Sequence, residues 1–204
     1  MSPRNEEANQ QIRDERREQI LQAALKVFAV KGLAATKISD IATAAGLSHG
    51  LIYHYFDSKD EIFTELVMLA FRVSNNTIID AVNLADQSPG ERFRAMAEAI
   101  LAHAYQGMGP YYFLIVNQAF TSEAVPAEVK KMTAAQQSFY SDYLIPLIVE
   151  GQEKGEIAPG DPLELAVAFM SVFQGIAINK VQSGGCLPIP AAEIVLRILK
   201  QAKE

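Results

Sequence analysis

Residues 38–59 constrain the fold more than any other stretch, because their spacing describes two short helices joined by a tight turn. The apolar face of the first helix is formed by Ile38, Ile41, Ala42 and Ala45. Gly46 follows where a helix terminus needs a left-handed backbone, which glycine adopts at little cost. We therefore predict helices over 38–45 and 49–55, separated by a turn at Gly46.

The second helix has a capping residue, an inward face and an outward face. Ser48 precedes it and can accept a backbone N–H as its N-cap. The inward residues are predicted to be Leu51, Ile52 and Tyr55. The outward residues are predicted to be His49, Gly50, Tyr53 and His54. In a helix pair of this kind, outward residues of the second helix face the major groove of DNA.

The flanks of this pair strengthen the pattern. Before it, an amphipathic helix carries Ile20, Leu21, Ala24, Leu25 and Phe28 on one face. After it, a serine and a glutamate three residues apart form a capping box that starts another helix, with a lysine in its first turn. A three-helix unit that leads directly into a fourth helix is therefore expected.

Residues from about 20 to 63 resemble the DNA-binding domain of TetR-family transcriptional regulators. The matching residues are Thr36, Ile41, Ala42, Ala45, Gly46, Leu47, Ser48, Gly50, Ile52, Tyr53, Tyr55, Phe56, Lys59 and Ile62. The chain departs from the family pattern at Lys37, where a second threonine is common.

The resemblance and the helix positions together suggest roles for single residues. Tyr53 and Lys59 match family positions that contact the DNA backbone. Thr36, Lys37 and Ser48 are predicted phosphate contacts, although Thr36 and Ser48 would be fully explained as helix caps. His49, Gly50 and His54 are the predicted sources of base discrimination, and the alternative for the histidines is a solvated helix surface.

The position of the net charge of −6 answers part of its objection to DNA binding, although a neutral DNA-binding part still predicts modest non-specific affinity. Residues 1–60 carry eight basic and eight acidic side chains, so the entire excess belongs to residues 61–204. The single cysteine, Cys186, cannot pair within the chain, and the charged N-terminus lacks the apolar segment of a signal peptide. The longest apolar stretch is shorter than the roughly 20 residues that span a bilayer. We expect a cytoplasmic protein without a membrane partner.

Caps and breakers divide the chain into about nine helices and predict an all-α fold. The predicted helices are 8–31, 38–45, 49–55, 59–85, 89–106, 110–121, 126–154, 162–183 and 191–203. We assign residues 1–58 to a helix-turn-helix DNA-binding domain and residues 59–204 to a larger helical domain for effector binding and dimerisation. The helix that starts at residue 59 is the predicted lever between them.

The larger domain contains aromatic and amide side chains suited to a ligand cavity. The predicted effector-binding residues are Tyr105, Met108, Tyr112, Phe113, Asn117, Phe139, Tyr143, Phe169, Phe173 and Gln174. Cavities are mostly apolar with a few placed polar groups. The alternative is that these side chains simply pack the core. Few basic residues lie nearby, so we expect an apolar or aromatic small molecule.

Residues 162–183 are apolar on nearly every side, so this helix needs cover from its own domain and from a second subunit. Proteins that resemble TetR dimerise through two such C-terminal helices. The predicted interface residues are Met170, Ala177, Val181, Ile194 and Ile198. A plain core helix is the alternative. A twofold dimer would space its recognition helices by about 34–36 Å and bind an inverted repeat.

Catalytic chemistry and cofactors are not expected. His103 is the only histidine outside the first domain and Cys186 stands alone, so neither a Cys–His pair nor a multi-histidine metal site is evident. We predict a ligand-responsive transcriptional regulator, a repressor that leaves its operator when a small molecule binds. The alternatives are a DNA-bound structural or cell-division factor without a ligand, or an enzyme in the larger domain.

Overall fold

The computed structural model describes residues 3–105, 107–136 and 138–200. These residues form an all-α fold, as predicted, and contain no strand. The helices are α1 Pro3–Ala35, α2 Ile38–Ala45, α3 His49–Tyr55, α4 Lys59–Val82, α5 Pro89–Tyr105, α6 Gly109–Thr121, α7 Ala127–Ala135, α8 Ile145–Glu153, α9 Pro162–Gln182 and α10 Ala192–Val195. A short 3-10 turn, Leu196–Ile198, follows α10. We refer to α1–α3 as the head and to the helices after α4 as the body.

Helix starts lie where the sequence places capping side chains. The Asp161 carboxylate accepts hydrogen bonds from the backbone N–H groups of Leu163 and Glu164, at 2.8 and 3.1 Å. Ser88 and Glu91 form a reciprocal capping box at the start of α5. Each interaction satisfies N–H groups that have no partner inside their own helix.

Three predicted helices differ from the structure. The helix predicted over 8–31 is longer and extends over Pro3–Ala35. The single helix predicted over 126–154 is α7, a π-helical turn at Tyr140–Leu144 and then α8. Pro146 explains the turn, because it has no N–H to donate and its ring clashes with the carbonyl four residues earlier. In the π turn, the N–H of Ile145 donates instead to the carbonyl of Tyr140, five residues back. The helix predicted over 191–203 shortens to α10 and the 3-10 turn, and residues 201–204 lie outside the described ranges.

Two separate hydrophobic cores organise the fold. The head core combines buried residues of α1–α3 and the first half of α4 with Ile115, Ala119, Val125 and Val129. The body core combines the end of α4 with buried residues of α5, α8, α9 and α10. Side chains from α6 and from the segment leading into α7 therefore help to fill the core of the head, and the buried core does not divide at residue 58.

The middle of α4 lies between the two cores. Its last residue in the head core is Phe71 and its first in the body core is Ile78, and none of residues 72–77 is buried. Helix α4 is therefore not the only connection between head and body. Helix α6 contacts both α1 and α9 and also joins them.

Candidate nucleic-acid interface and effector region

The turn between α2 and α3 has the geometry that the sequence predicts. Gly46 has φ 67° and ψ 31°, a left-handed conformation that disfavours residues with a Cβ. The N–H of Leu47 donates to the carbonyl of Ala42 at 3.0 Å, and that of Gly46 to Thr43 at 3.2 Å. These bonds close the end of α2 and direct the chain into α3.

Helix α3 has one anchored face and one exposed face. Ile52 is completely buried and Tyr55 packs against the head core. The exposed residues are Ser48, His49, Gly50, Tyr53 and His54. The rings of His49 and Tyr53 meet edge to face, with centroids 5.0 Å apart. The predicted DNA-contacting face is therefore a continuous surface with no protein covering it.

Ser48 and Lys37 lie at the starts of the two helices of the pair. The Ser48 hydroxyl accepts the N–H of Leu51 at 3.2 Å, so the residue caps α3 as predicted. The N–H of Lys37 donates to the Asp40 carboxylate at 3.0 Å, and the Lys31 ammonium lies 3.0 Å from the same group. The backbone hydrogen bond, and then Lys31, lower the pKa of Asp40 below its ordinary value. The Lys37 side chain is exposed.

Two predicted phosphate contacts have internal partners instead. The Thr36 hydroxyl is buried and donates to the carbonyl of Gly32 at 2.7 Å, and the N-cap of α2 is the next residue, Lys37. The Lys59 ammonium donates to the carbonyls of Leu33 at 2.8 Å, Thr36 at 2.9 Å and Ala34 at 3.4 Å. Both side chains are bound to the backbone at the end of α1 in this conformation.

An ion pair that the sequence does not suggest joins the head to α4. The Arg17 guanidinium binds both carboxylate oxygens of Glu65 and stacks over the ring of Phe56, 4.7 Å from its centroid. The hydrogen bond to Glu65 raises the pKa of Arg17. Arg17 is half-buried against α4. The partners are 48 residues apart, so no local pattern could pair them.

The predicted effector-binding residues fall into three groups. Phe169 and Phe173 are buried in the body core and meet edge to face at 5.1 Å, so they correspond to the core alternative. Asn117 and Gln174 are exposed. The half-buried group consists of Met108, Tyr112, Phe113, Phe139 and Tyr143. The side chain of Tyr105 lies outside the described residues.

The half-buried aromatic residues are divided between the two cores. Tyr112 packs on the head core, whereas Phe113, Phe139 and Tyr143 pack on the body core. Burial raises the pKa of Tyr112, with a further contribution from the negative charge of Glu18. These four residues, which we call the aromatic waist, offer the apolar surface and hydroxyl groups that a small-molecule site uses.

The two best-defined surface hollows lie elsewhere. One of about 650 Å³ lies along α1 and the end of α2, with Glu18, Gln22 and Ala45 in its wall. The other, of about 280 Å³, lies between the start of α5 and the C-terminal segment, with Phe93 and Leu199 in its wall. Neither contains a predicted effector residue. Within the described ranges, no three His, Cys, Asp or Glu side chains converge as a metal site would require.

Comparison with known proteins agrees with the geometry of the head. Residues 20–66 match the family model described as "Bacterial regulatory proteins, tetR family". The amino-terminal domain belongs to the TetR family.

Relatives of this chain include both an activator and a repressor of transcription. It is 35% identical over 137 residues to the transcriptional activator FasR of Mycolicibacterium smegmatis, a match that covers 64% of this chain and 59% of FasR. It is 25% identical over 175 residues to the transcriptional repressor KstR2 of Rhodococcus jostii, covering 85% and 83% of the two chains. These similarities support a DNA-binding transcriptional regulator.

Solved TetR-family structures extend the similarity to the body. PfmR from Thermus thermophilus aligns with a TM-score of 0.72 and 26% identity, over 91% of this chain and 99% of PfmR. AibR, solved with isovaleryl coenzyme A and operator DNA, aligns with a TM-score of 0.67 over 89% of this chain and 94% of AibR. At 18% identity, the AibR alignment shows the shared fold.

The predicted dimer residues are not equally accessible in this fold. Ala177 is completely buried within its own chain, so it is not available to a second subunit. Met170, Val181 and Ile198 are half-buried, and Ile194 is 55% exposed. Two apolar residues outside the predicted set, Leu163 and Val167, are 50% and 45% exposed on the outer face of α9.

Helix α9 is unusually apolar for its exposure. Both α4 and α9 are long and apolar enough to cross a membrane by length and composition alone, which is weak evidence because core helices pass the same test. In α9, only 22% of the most apolar window is buried within the chain. Its outer face is therefore an exposed apolar surface of the kind found at protein–protein contacts.

Proposed function

We propose that this chain represses transcription as a homodimer on an inverted-repeat operator, and that a small apolar or aromatic molecule releases it. The observation that carries the proposal is the uncovered outer face of α3 in a head of TetR type. Ser48, His49, Gly50, Tyr53 and His54 would contact the duplex, with Lys37 supplying a phosphate contact at the start of α2. A cytoplasmic location follows from this function.

Selection of bound fragments from random DNA tests the core of this proposal. We expect an enriched inverted repeat with half-sites about 10 bp apart, or a multiple of one helical turn. His49→Ala should then change the preferred bases, whereas Tyr53→Phe should weaken binding to all sequences alike, since phosphate contacts carry no sequence information. Failure to enrich any sequence at low salt would reject the proposal.

Dimerisation would cover the outer face of α9. We propose that Leu163, Val167 and Ile194 are central to this contact, because they are large, apolar and about half exposed. Val167→Glu should yield monomers by analytical ultracentrifugation and abolish operator binding. Val30→Glu is the matched control, because Val30 is 72% exposed on α1 and should tolerate the charge. Monomers that bind the full operator as tightly as the parent would contradict a dimeric mechanism.

The effector would bind at the aromatic waist. Tyr112, Phe113, Phe139 and Tyr143 are large side chains left half-buried against the two packed cores, where a ligand would complete their burial. The complex of AibR with isovaleryl coenzyme A adds acyl thioesters to the compounds for testing. Displacement of labelled operator by a panel of neutral aromatic compounds and isovaleryl coenzyme A would identify the class. Tyr143→Ala should weaken the response without changing operator affinity in the absence of compound.

A further inference from the structure

The end of α1 is stabilised by side chains from elsewhere in the chain. Gly32 leaves helical geometry at φ 78° and ψ 160°, just before the head turns into α2. Carbonyl groups in the last turn of a helix lack partners within that helix. Lys59 supplies donors for the carbonyls that follow Gly32, as described above. The carbonyls that precede it have another donor.

That donor is Gln118 of α6. Its Nε2 donates to the carbonyl of Phe28 at 2.8 Å and is 3.4 Å from that of Ala29. The partners are 90 residues apart, and this contact joins the body directly to the backbone of α1. Gln118 thus acts as a capping residue that the body provides for the head.

The other end of α6 lies in the aromatic waist. Tyr112 and Phe113 are in its second turn, and Gln118 lies six residues after Tyr112, which is about 9 Å along one uninterrupted helix. A helix of this length moves as a unit. Any shift of α6 that accompanies binding at the aromatic waist therefore changes the distance between the Gln118 amide and α1.

The Gln118 contact is also finely balanced. Its Oε1 atom is buried and has no hydrogen-bond partner within the described part of the chain. A buried acceptor without a partner opposes the gain from the donor side of the same amide. In the alternative position, water would satisfy the whole amide but leave the carbonyls of Phe28 and Ala29 without this donor. Small displacements of α6 can therefore decide between the two arrangements.

We propose that Gln118 is the positioning residue through which α6 transmits effector occupancy to the DNA-binding head. This inference rests on the proposed function, since it assumes a head that binds DNA and a body that binds a small molecule. The contact gives the head and body a second connection in addition to α4. Residues 72–77 of α4 are not part of either core. By thermodynamic reciprocity, DNA bound to the head must then alter the stability of α6.

Reciprocity allows a test that needs no identified effector. The full-length protein is mixed with a DNA fragment selected from a random pool, and hydrogen exchange of the backbone amides of residues 109–121 is measured with and without DNA. In the parent protein, we expect DNA to slow this exchange by about fivefold or more, the lower end of common allosteric couplings. In Gln118→Met, which keeps the side-chain length but removes the donor, we expect a change below about twofold.

Matched variants separate coupling from ordinary packing. Thr121→Ala is the control, because Thr121 is exposed at the end of the same helix and its hydroxyl bonds only within α6, so this variant should retain the response of the parent protein. A purely structural role for Gln118 would alter exchange in free and DNA-bound protein equally and leave their ratio unchanged. If Gln118→Met fails to fold, Gln118→Glu replaces it, since a carboxylate of the same shape cannot donate to the two carbonyls.

The outcomes distinguish this inference from the function on which it rests. If the parent protein binds no DNA, both the proposed function and the role of Gln118 are refuted. A parent protein that binds DNA without any change in α6 exchange overturns the role of Gln118 and leaves the proposed function standing, whatever the variants do. An equal DNA effect in parent protein and Gln118→Met overturns it as well, whereas loss in Gln118→Met with retention in Thr121→Ala supports it.

Discussion

Replacing Lys59 with methionine distinguishes a phosphate contact from a structural cap. The ammonium makes two good hydrogen bonds, to Leu33 and Thr36, and a longer one to Ala34. The ammonium also places a positive charge at the negative end of the α1 dipole, which is favourable. This offsets the unfavourable interaction of the same charge with the positive N-terminal end of α4, where Lys59 is the first residue. Methionine keeps the apolar stem and removes all of these interactions.

The magnitude follows from those contacts. Hydrogen bonds to a charged group contribute about 1.5–3 kcal/mol each, and partial exposure of Lys59 lowers this because water can replace the ammonium. Removing the positive charge from the first turn of α4 stabilises the protein by about 0.5 kcal/mol. We expect Lys59→Met to lower the free energy of unfolding by about 2 kcal/mol, and the melting temperature by about 4–8 °C for a chain of this size. Thermal unfolding at equal protein concentration measures it.

The salt dependence of operator binding provides the second readout. A lost phosphate contact reduces the slope of log K against log salt by about 0.9, or about 1.8 for both subunits of a dimer. We expect Lys59→Met to leave this slope unchanged and the exposed Lys37, replaced by methionine, to reduce it without loss of stability. A Lys59 variant with parental stability and a shallower slope would show that the ammonium serves DNA and that the capping argument is wrong.

Three further predictions follow from the geometry. Gly46→Ala should destabilise the protein by about 1–2 kcal/mol, because the backbone of Gly46 is left-handed and no described atom lies within contact of an added Cβ. Gly50→Ala should stabilise α3 by about 0.5–1 kcal/mol, because alanine favours a helix more than glycine does, yet it should weaken operator binding if α3 lies against DNA. A double-mutant cycle of Arg17→Met and Glu65→Gln should give about 0.5–1 kcal/mol of coupling in unfolding experiments, because both side chains are partly exposed. Phe173→Ala should cost about 3–5 kcal/mol of stability as a core residue, and a small loss with a large change in effector affinity would instead make Phe173 a ligand contact.

Much of the head could be predicted because its determinants are local. The apolar spacing of α2, the left-handed glycine at position 46 and the hydroxyl of Ser48 act within a few residues of one another. Such features determine where helices begin, end and turn before any long-range contact forms. The exposure of His49 and Tyr53 followed from the same helical periodicity.

The effector region could be predicted only in part. Periodicity placed Phe169 and Phe173 on an apolar side of α9, but it could not say whether that side faces a cavity or a filled core. In the structure this side faces a filled core, because the rings of Phe169 and Phe173 pack edge to face on each other and Phe169 packs edge to face on Phe93. Likewise, Ala177 and Val167 are both apolar residues of one helix, and only the packing of the rest of the chain around α9 makes one inaccessible and leaves the other exposed.

The sequence alone determined the all-α class, the helix-turn-helix and most helix boundaries, because caps, glycines and periodicity act over three or four residues. Only the tertiary structure decided the partners of Lys59, Arg17 and Gln118, which lie 23 to 90 residues away along the chain. A charged or amide side chain has the same local pattern whether it meets phosphate, carboxylate or a backbone carbonyl. Its role is determined by the groups that packing of the helices brings within about 3 Å.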